Sequence, residues 1–419
     1  MKTFAQSVQS VKKYTVMFIR WVLISGITGF VCGAVGYAFH KCVDLAAVFR
    51  TGHPWIIGLL PLAGLVIVWL YKRLHMLNNS GTNNVISSVR TNENVPLALA
   101  PLIFISTVIT HLFGGSAGRE GAALQLGGSI GFQVGRLFRL PEKDKNLVVM
   151  CGMAGLFSAL FGTPLTAAIF SMEVISVGLF YYSGLLPCLT SAMAAYAVAD
   201  YFGAAPVRYE VVAVPALSVV SVAQAAVLSV LCAVVSILFC LAMHGTAHVL
   251  KSKIKNDYIR IAAGGAAILA LTLLVQSTDY NGAGMDIVEN AVTGGKAVWY
   301  AFALKIIFTA VTIGAGFRGG EIVPTFFIGA TFGCTAGRLL GLDPGFGAAL
   351  GFVALFCGVV NCPLASLALA VEVFGARGLL FFAMACSISY MLSGYYGLYS
   401  SQKIIYSKIH AEYINRDAE

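Results

Sequence analysis

Two glycine-rich breaks each set a carboxylate and a guanidinium inside apolar sequence. The first, Gly114-Gly115-Ser116-Ala117-Gly118-Arg119-Glu120-Gly121, separates the apolar runs Pro101–Phe113 and Ala122–Leu137; the second, Gly314-Ala315-Gly316-Phe317-Arg318-Gly319-Gly320-Glu321-Ile322-Val323-Pro324, carries Arg318 and Glu321. An ionisable side chain at membrane depth costs roughly 2.5 kcal/mol or more, so one found there points to function. Glycines at such a break free backbone N–H groups and let a helix N-terminus face an anion. An ionised Glu120 can occupy the anion's own place, and a protonated one can leave it. The chemistry is that of an ion site with a protonatable gate; a purely structural Arg119–Glu120 ion pair is the plainer alternative.

These breaks need membrane helices around them. The chain has 419 residues, 58% hydrophobic and only 11% charged, with a mean hydropathy of +0.84. Soluble domains carry about 25% charged residues, so this is an integral membrane protein. Runs near the ~20 residues that cross a bilayer recur at Tyr14–Phe39, Trp55–Tyr71, Ala98–Phe113, Asn146–Phe161, Leu165–Val198, Val211–Leu250, Ile259–Val275, Val298–Gly316 and Ala348–Leu392. Gly or Pro interrupts several of them, which predicts unequal, tilted and partly broken helices, and no alternating pattern argues for a β-barrel. The 45 glycines suit helices whose backbones approach closely in lipid. The ten cysteines, scattered through apolar runs without paired spacing, read as small core residues.

A net charge of +9 invites a nucleic-acid partner, but the cations sit at segment ends. Lys2, Lys12, Lys13 and Arg20 precede or open the first span, and Arg136, Arg139, Lys143 and Lys145 form a loop. By the positive-inside rule these flanks face the cytoplasm, placing the chain in a cell membrane, by expectation the bacterial inner membrane, with no nucleic acid involved. The first span is too long for a signal-peptide core and is expected to be retained.

In order, residues 1–13 form a cytoplasmic head, 14–203 a first membrane repeat with a loop around Asp44–His53, 204–214 a linker, 215–400 a second repeat, and 401–419 a cytoplasmic tail without further span or soluble domain. The stretch Leu77-Asn78-Asn79-Ser80-Gly81-Thr82-Asn83-Asn84 cannot be a lipid-facing helix. It is either a polar loop or irregular backbone lining a water-filled cavity.

The halves repeat one another. Gly118, Gly127, Gly131, Gly135, Arg136 and Leu137 recur at an offset of 202 as Gly320, Gly329, Gly333, Gly337, Arg338 and Leu339. Pro164-Leu165 with Glu173-Val174 recurs at an offset of 199 as Pro363-Leu364 with Glu372-Val373. Matched, interrupted apolar blocks in the same order mark a duplicated transporter with its site at the repeat interface. The duplication of Glu173 and Glu372 favours a scaffold role for both. His111, two residues before the first break, is expected to hydrogen-bond structure rather than carry protons. Without metal-ligand spacing, triad or nucleotide loop, the chain is expected to be neither an enzyme nor a cofactor binder.

Gly118-Arg119-Glu120-Gly121, Gly319-Gly320-x-x-x-Pro324, the repeated Pro-Leu and Glu pair and the late Leu398-Tyr399-Ser400 together resemble the CLC family of chloride channels and proton-coupled anion exchangers, over nearly the whole chain. The resemblance implies an all-α, inverted-repeat fold of many tilted and broken helices, and a homodimer in the lipid bilayer with one pathway per subunit. It also implies that Glu120 is the gate that carries the proton and that Tyr399 coordinates the anion. Three departures narrow the subclass: Gly81-Thr82-Asn83-Asn84-Val85-Ile86 stands where chloride members have Gly-Ser-Gly-Ile-Pro, Glu321 follows Gly319-Gly320, and Val174 replaces an inward proton-transfer glutamate. These are similar to the fluoride–proton antiporter branch, with proton-coupled fluoride export the expected function and a chloride–proton antiporter or passive chloride channel the alternative. On this reading Glu120 and Glu321 serve gate and proton, while Asn83, Asn84, Gly118, Arg119, Gly121, Ile322, Val323 and Tyr399 bind the anion. Fluoride is small and strongly hydrated, so its site must replace water with donors, and an amide N–H is one.

Overall fold

The computed structural model describes residues 4–419 apart from Asn78, Ser80 and Val212, with side chains from Val11 onward. Residues 1–3 of the expected head, Asn78 and Ser80 of the asparagine segment and Val212 of the linker therefore lie outside the described residues.

Among the described residues, eight α-helices form the first half: α1 (Phe4–Gly52), α2 (Leu60–Arg73), α3 (Thr82–Thr91), α4 (Leu99–Leu112), α5 (Glu120–Leu137), α6 (Glu142–Phe161), α7 (Pro164–Glu173) and α8 (Leu185–Tyr201). Eight follow in the same order: α9 (Val219–Lys253), α10 (Asp257–Val275), α11 (Met285–Val292), α12 (Ala301–Ala315), α13 (Ile322–Leu339), α14 (Pro344–Val360), α15 (Pro363–Phe374) and α16 (Leu379–Leu392). Among the described residues, seven helical segments are long and apolar enough to cross a membrane, and several shorter apolar helices lie among them. Unequal, interrupted helices are what the glycine and proline punctuation predicts.

The glycine repeat has a packing reason. A Cβ on Gly127 would come within 2.2 Å of Gly152 O on α6, and one on Gly131 within 2.2 Å of Val148 O. In the second half the same clashes would arise between Gly329 and Gly351 O, at 2.4 Å, and between Gly333 and Gly347 O, at 2.2 Å. The helix pairs α5/α6 and α13/α14 thus touch backbone to backbone, as expected where dispersion rather than water expulsion drives association.

Two sequence expectations are corrected. The loop expected around Asp44–His53 is the end of α1, which continues through Leu45-Ala46-Ala47-Val48-Phe49 and stops only at Gly52, ahead of Pro54. The polar segment does not stay irregular: Gly81, at a φ of +65°, turns the chain ahead of a helix. From Thr82 it is α3, held by a buried face of Val85, Ile86 and Val89, so Asn83 and Asn84 lie in a first helical turn.

One face of the molecule gathers the cationic ends. Arg20 pairs with Asp144 at 3.3 Å, Asn146 Nδ2 donates to Asn92 Oδ1 at 2.6 Å, and Arg90 Nη2 donates to Ser401 O. Lys143 and Lys145 flank Asp144 in the first turn of α6, an end that the positive-inside rule leads one to expect in the cytoplasm. There the tail forms β2 (Lys403–Tyr406) and β3 (Tyr413–Asp417), β2 also pairing in parallel with the two-residue β1 (Ser176–Val177) after α7. The tail is therefore hydrogen-bonded to the first half of the chain.

Candidate functional site

Each break begins where a glycine ends a helix in the left-handed region, which L side chains disfavour. Gly114, at φ +85°, follows α4, and Gly316, at φ +115°, follows α12. The two extended stretches then meet in an antiparallel bridge in which Gly118 N–H donates to Gly320 O and Gly320 N–H to Gly118 O, both at 2.7 Å. The repeat partners identified in sequence thus touch in space. From this bridge α5 and α13 leave, so the unbonded N–H groups of both helix starts lie around it.

Glu120 opens α5 and is 1% exposed. Its Oε2 accepts from Arg119 N–H at 3.0 Å, and Arg119 Nε lies 3.5 Å from Oε1. The carboxylate folds back on Gly118, where a Cβ would stand 2.8 Å from Oε2. Arg119 also reaches Asp44 at 3.0 Å, and Asp44 meets His40 at 3.0 Å, one turn earlier on α1. A cavity of about 750 Å³, lined by Asp44, Arg50, His111, Arg119, Glu120 and Val323 among others, opens from this carboxylate towards the face opposite the cationic one.

Glu321 precedes α13. Its Oε2 is buried without a hydrogen-bond partner among the described residues, and a Cβ on Gly121 would stand 2.9 Å from it. Gly118 and Gly121 therefore make room for Glu120 and Glu321 respectively. The ion pair with Arg318 that could have given Glu321 a structural role is absent among the described residues. Arg318 instead stacks on Tyr71, 4.3 Å from the ring centroid, because the turn at Gly316 carries it towards α2.

The asparagine segment and the tyrosine reach the same place. Thr82 Oγ1 donates to Gly121 O at 3.1 Å, and Gln125 Nε2 donates to Thr82 Oγ1 at 3.1 Å and to Gly121 O at 3.3 Å, tying α3 to α5. Asn83 Oδ1 accepts from Ser401 N–H at 3.0 Å and from Ser401 Oγ–H at 2.9 Å, two residues past Tyr399. That leaves the Asn83 NH₂ as the free end of its amide. Tyr399 is 2% exposed with its Oη unpartnered among the described residues, and Asn84 Oδ1 is likewise buried and unpartnered. Ile322 and Val323 are buried in the first turn of α13, Val323 against Gly118.

Val174 contributes only its backbone: its carbonyl accepts from Gln402 Nε2 at 3.1 Å, which also donates to Val360 O at 2.9 Å. His111 Nδ1 bonds Thr107 O at 2.9 Å, and its own carbonyl accepts from Arg50 at 2.6 Å. The sequence reading missed Thr82, Gln125, Ser401, Gln402 and Asp44. Only Gln125, an amide in an apolar glycine helix one turn after Gly121, left a visible signal.

Comparison with known proteins gives a consistent picture. The profile of the voltage gated chloride channel family matches residues 63–394. A chloride/fluoride channel protein of Pseudomonas syringae pv. tomato is 35% identical over 401 residues, covering 93% of this chain and 88% of that protein. Among solved structures, a CLC-type fluoride/proton antiporter superposes with a TM-score of 0.89 at 31% identity, over 96% of this chain and 99% of the other. A slow cyanobacterial Cl⁻/H⁺ antiporter, at 18% identity, shares the fold with a TM-score of 0.77 over 89% and 94%.

Proposed function

The chain belongs to the voltage gated chloride channel family, and from that premise we propose that it is a multi-pass membrane antiporter that exports fluoride from the cell in exchange for protons. The observation that carries this reading is the pair of buried carboxylates beside the Gly118–Gly320 bridge. Glu120 borders the cavity on one side of it and Glu321 stands against Gly121 on the other.

Glu120 is the gate. Ionised, it holds the anion's place against the N–H groups at the start of α5; protonated, it withdraws and the anion takes those donors. Glu321 is the inward proton carrier, a role that Val174 cannot fill because only its backbone carbonyl is polar. The anion is held by the Tyr399 Oη–H, the Asn83 NH₂ and N–H groups around Gly118, Gly121, Ile322 and Val323, with Asn84 beside them and Arg119 neutralising the gate. Fluoride is favoured because Asn83 is fixed through its oxygen on Ser401, so its amide hydrogens are the end presented to a dehydrated anion. The protein works as a homodimer in the cytoplasmic membrane, with one pathway in each subunit, each built from repeats 14–203 and 215–400.

The test is fluoride release from loaded proteoliposomes with pH and anion followed together. Wild type should acidify the lumen in proportion to fluoride released, since protons enter as fluoride leaves, and should release fluoride at least tenfold faster than chloride; Glu120→Gln should break that proportion. Fluoride release without any proton movement in wild type would make the protein a passive channel, and equal chloride release would remove fluoride selectivity.

A further inference from the structure

Ser401 is gripped at both ends by one helix. On α3, Asn83 Oδ1 accepts from Ser401 N–H at 3.0 Å and from Ser401 Oγ–H at 2.9 Å, while Arg90 donates through Nη2 to Ser401 O and through Nη1 to Ile175 O at 3.2 Å. Asn83 and Arg90 stand about two helical turns apart, so they share a face of α3. Helical side chains lean towards the N-terminus, which brings the long arginine back along that face. A backbone N–H can only donate, so Ser401 dictates that the Asn83 amide turns its oxygen to it and leaves the NH₂ free.

The next residue is pinned as well. Gln402 is fully buried. Its Nε2 donates to Val174 O at 3.1 Å, at the end of α7, and to Val360 O at 2.9 Å, at the end of α14, and its Oε1 accepts from Asn361 Nδ2 at 3.1 Å. Its backbone N–H closes a turn onto Tyr399 O at 2.9 Å, and its carbonyl accepts from Ala418 N–H at 3.0 Å in the tail. The two carbonyls that meet Nε2 can only accept, so the Gln402 amide has a single orientation. Ser401 thus stands between a residue bonded to two helix ends and an arginine bonded to its own carbonyl.

Telling one halide from another needs this stiffness. Attraction to a donor falls with distance from the ion's centre, so a small dehydrated anion offsets its lost water only where donors close in, whereas a larger one tolerates donors that stand back. A site keeps that difference when its groups are held to within about 0.5 Å. The Asn83 side chain bonds only Ser401 among the described residues, so it is placed no better than Ser401 is. We propose that Arg90 and Gln402 are positioning residues for anion selectivity: by immobilising Ser401 they fix the Asn83 amide, NH₂ free, at the distance a small halide requires. The proposal rests on the fluoride-transport reading and extends it to two residues that the reading does not use.

The experiment measures initial efflux of fluoride and of chloride from proteoliposomes of the full chain loaded with the potassium salt of either, for each variant alone and combined with Asn83→Ser. Gln402→Met keeps the length of the side chain and removes its bonds to Val174 O, Val360 O and Asn361, and should lower the fluoride-to-chloride ratio about fivefold. Arg90→Lys replaces the planar fork that spans Ser401 O and Ile175 O by a point charge; it should lower the ratio about threefold, and it decides the matter if Gln402→Met does not fold. In the Asn83→Ser background neither should lower the ratio further, because the amide they position is gone. General damage to the fold slows both halides alike and does not move the ratio. An unchanged ratio in a folded variant, with or without slower efflux, or a further loss on top of Asn83→Ser, overturns the proposal and leaves the two residues as ties for the tail. Wild type that releases both halides equally overturns the fluoride reading itself, an outcome seen before any variant is compared.

Discussion

Glu173 and Glu372 cap each other's halves. Glu173, the last residue of α7, accepts from Leu364 N–H at 3.2 Å and Ala365 N–H at 2.9 Å, at the start of α15. Glu372, near the end of α15, accepts from Leu165 N–H at 3.0 Å, Thr166 N–H at 2.8 Å and Thr166 Oγ–H at 2.6 Å, at the start of α7. The two short helices lie head to tail, each N-terminus closed by the other's carboxylate, where the helix dipole favours negative charge. Because Pro164 and Pro363 open these helices, the orphan donors begin one residue later, where the carboxylates reach them.

Glu372→Ala should therefore destabilise the protein without altering which ion it moves. Three donors lose their acceptor in an apolar setting, at a cost of about 2–4 kcal/mol in total. Thermal unfolding in detergent, followed by loss of monodisperse protein, should shift down by several degrees, and the fluoride-to-chloride ratio of the surviving protein should match wild type. A changed ratio with unchanged thermal stability would assign Glu372 to the pathway instead.

Asn83→Ser should loosen discrimination against chloride by about tenfold, roughly 1.4 kcal/mol. A serine cannot bridge to Ser401 and present amide hydrogens at once, and its hydroxyl can offer a lone pair where the amide offered N–H. The check is efflux of both halides from matched liposomes, with Asn84→Ala alongside. Selectivity lost in the Asn84 variant and kept in the Asn83 variant would move the contact one residue along.

What was readable in the sequence was what repeats locally. The glycine offsets gave two equivalent helix pairs because close packing needs glycine at both partners, and the paired breaks gave the bridge because Gly118 and Gly320 occupy equivalent places in the two halves. The reciprocal caps were visible only as duplicated glutamates, since their donors lie about 190–210 residues away and are ordinary backbone. Asp44 was hidden by reading a loop where α1 has no helix breaker until Gly52. Lys305 left no signal of its role: it is fully buried, with its ammonium on Tyr280 O and Gly282 O and 5.0 Å from the Phe327 ring centroid. In this way it fixes the loop that also bonds Gly115 O through Gly282 N–H. Side chains satisfied by distant carbonyls carry no periodic pattern for a sequence to reveal.

The docking of the tail should strengthen as pH rises through a defined window. Lys408 donates to Asn361 Oδ1 and to Ser393 Oγ at 3.1 Å, with its ammonium 4.6 Å from the Tyr390 ring centroid. Burial lowers its pKa to about 8, against about 10.4 in the released tail. Below pH 8 both forms are charged and docking bears the full desolvation cost. Between pH 8 and about 10.4 the released lysine keeps a proton that the docked one has lost, so docking gains with pH, by up to about 3 kcal/mol, and levels off above. Subtilisin cleavage in the 407–412 turn, normalised to a free peptide of the same sequence, should slow across this window, and Lys408→Met should flatten the profile. A wild-type profile that is already flat would refute the assignment.

Glu321→Gln should stop proton-coupled fluoride transport while leaving a folded protein. The carboxylate has no cation beside it among the described residues, since Arg318 is turned onto Tyr71, and its Oε2 is buried without a partner against Gly121. A group placed so is not there to stabilise the fold, because an unpaired buried carboxylate is a liability that a neutral amide of the same shape relieves. The amide should therefore raise the unfolding temperature slightly or leave it unchanged. Function should fall by a factor of about a hundred or more, because Gln cannot take up and release the proton that Val174 has no means to carry. Fluoride exchange down its own gradient, measured at fixed pH, separates loss of the proton from loss of the anion: it should persist in Glu321→Gln if the residue carries only the proton. A variant that pumps protons at the wild-type ratio, or one that loses stability along with transport, would remove Glu321 from the proton path and leave that path to water reaching Glu120 from the cytoplasmic side.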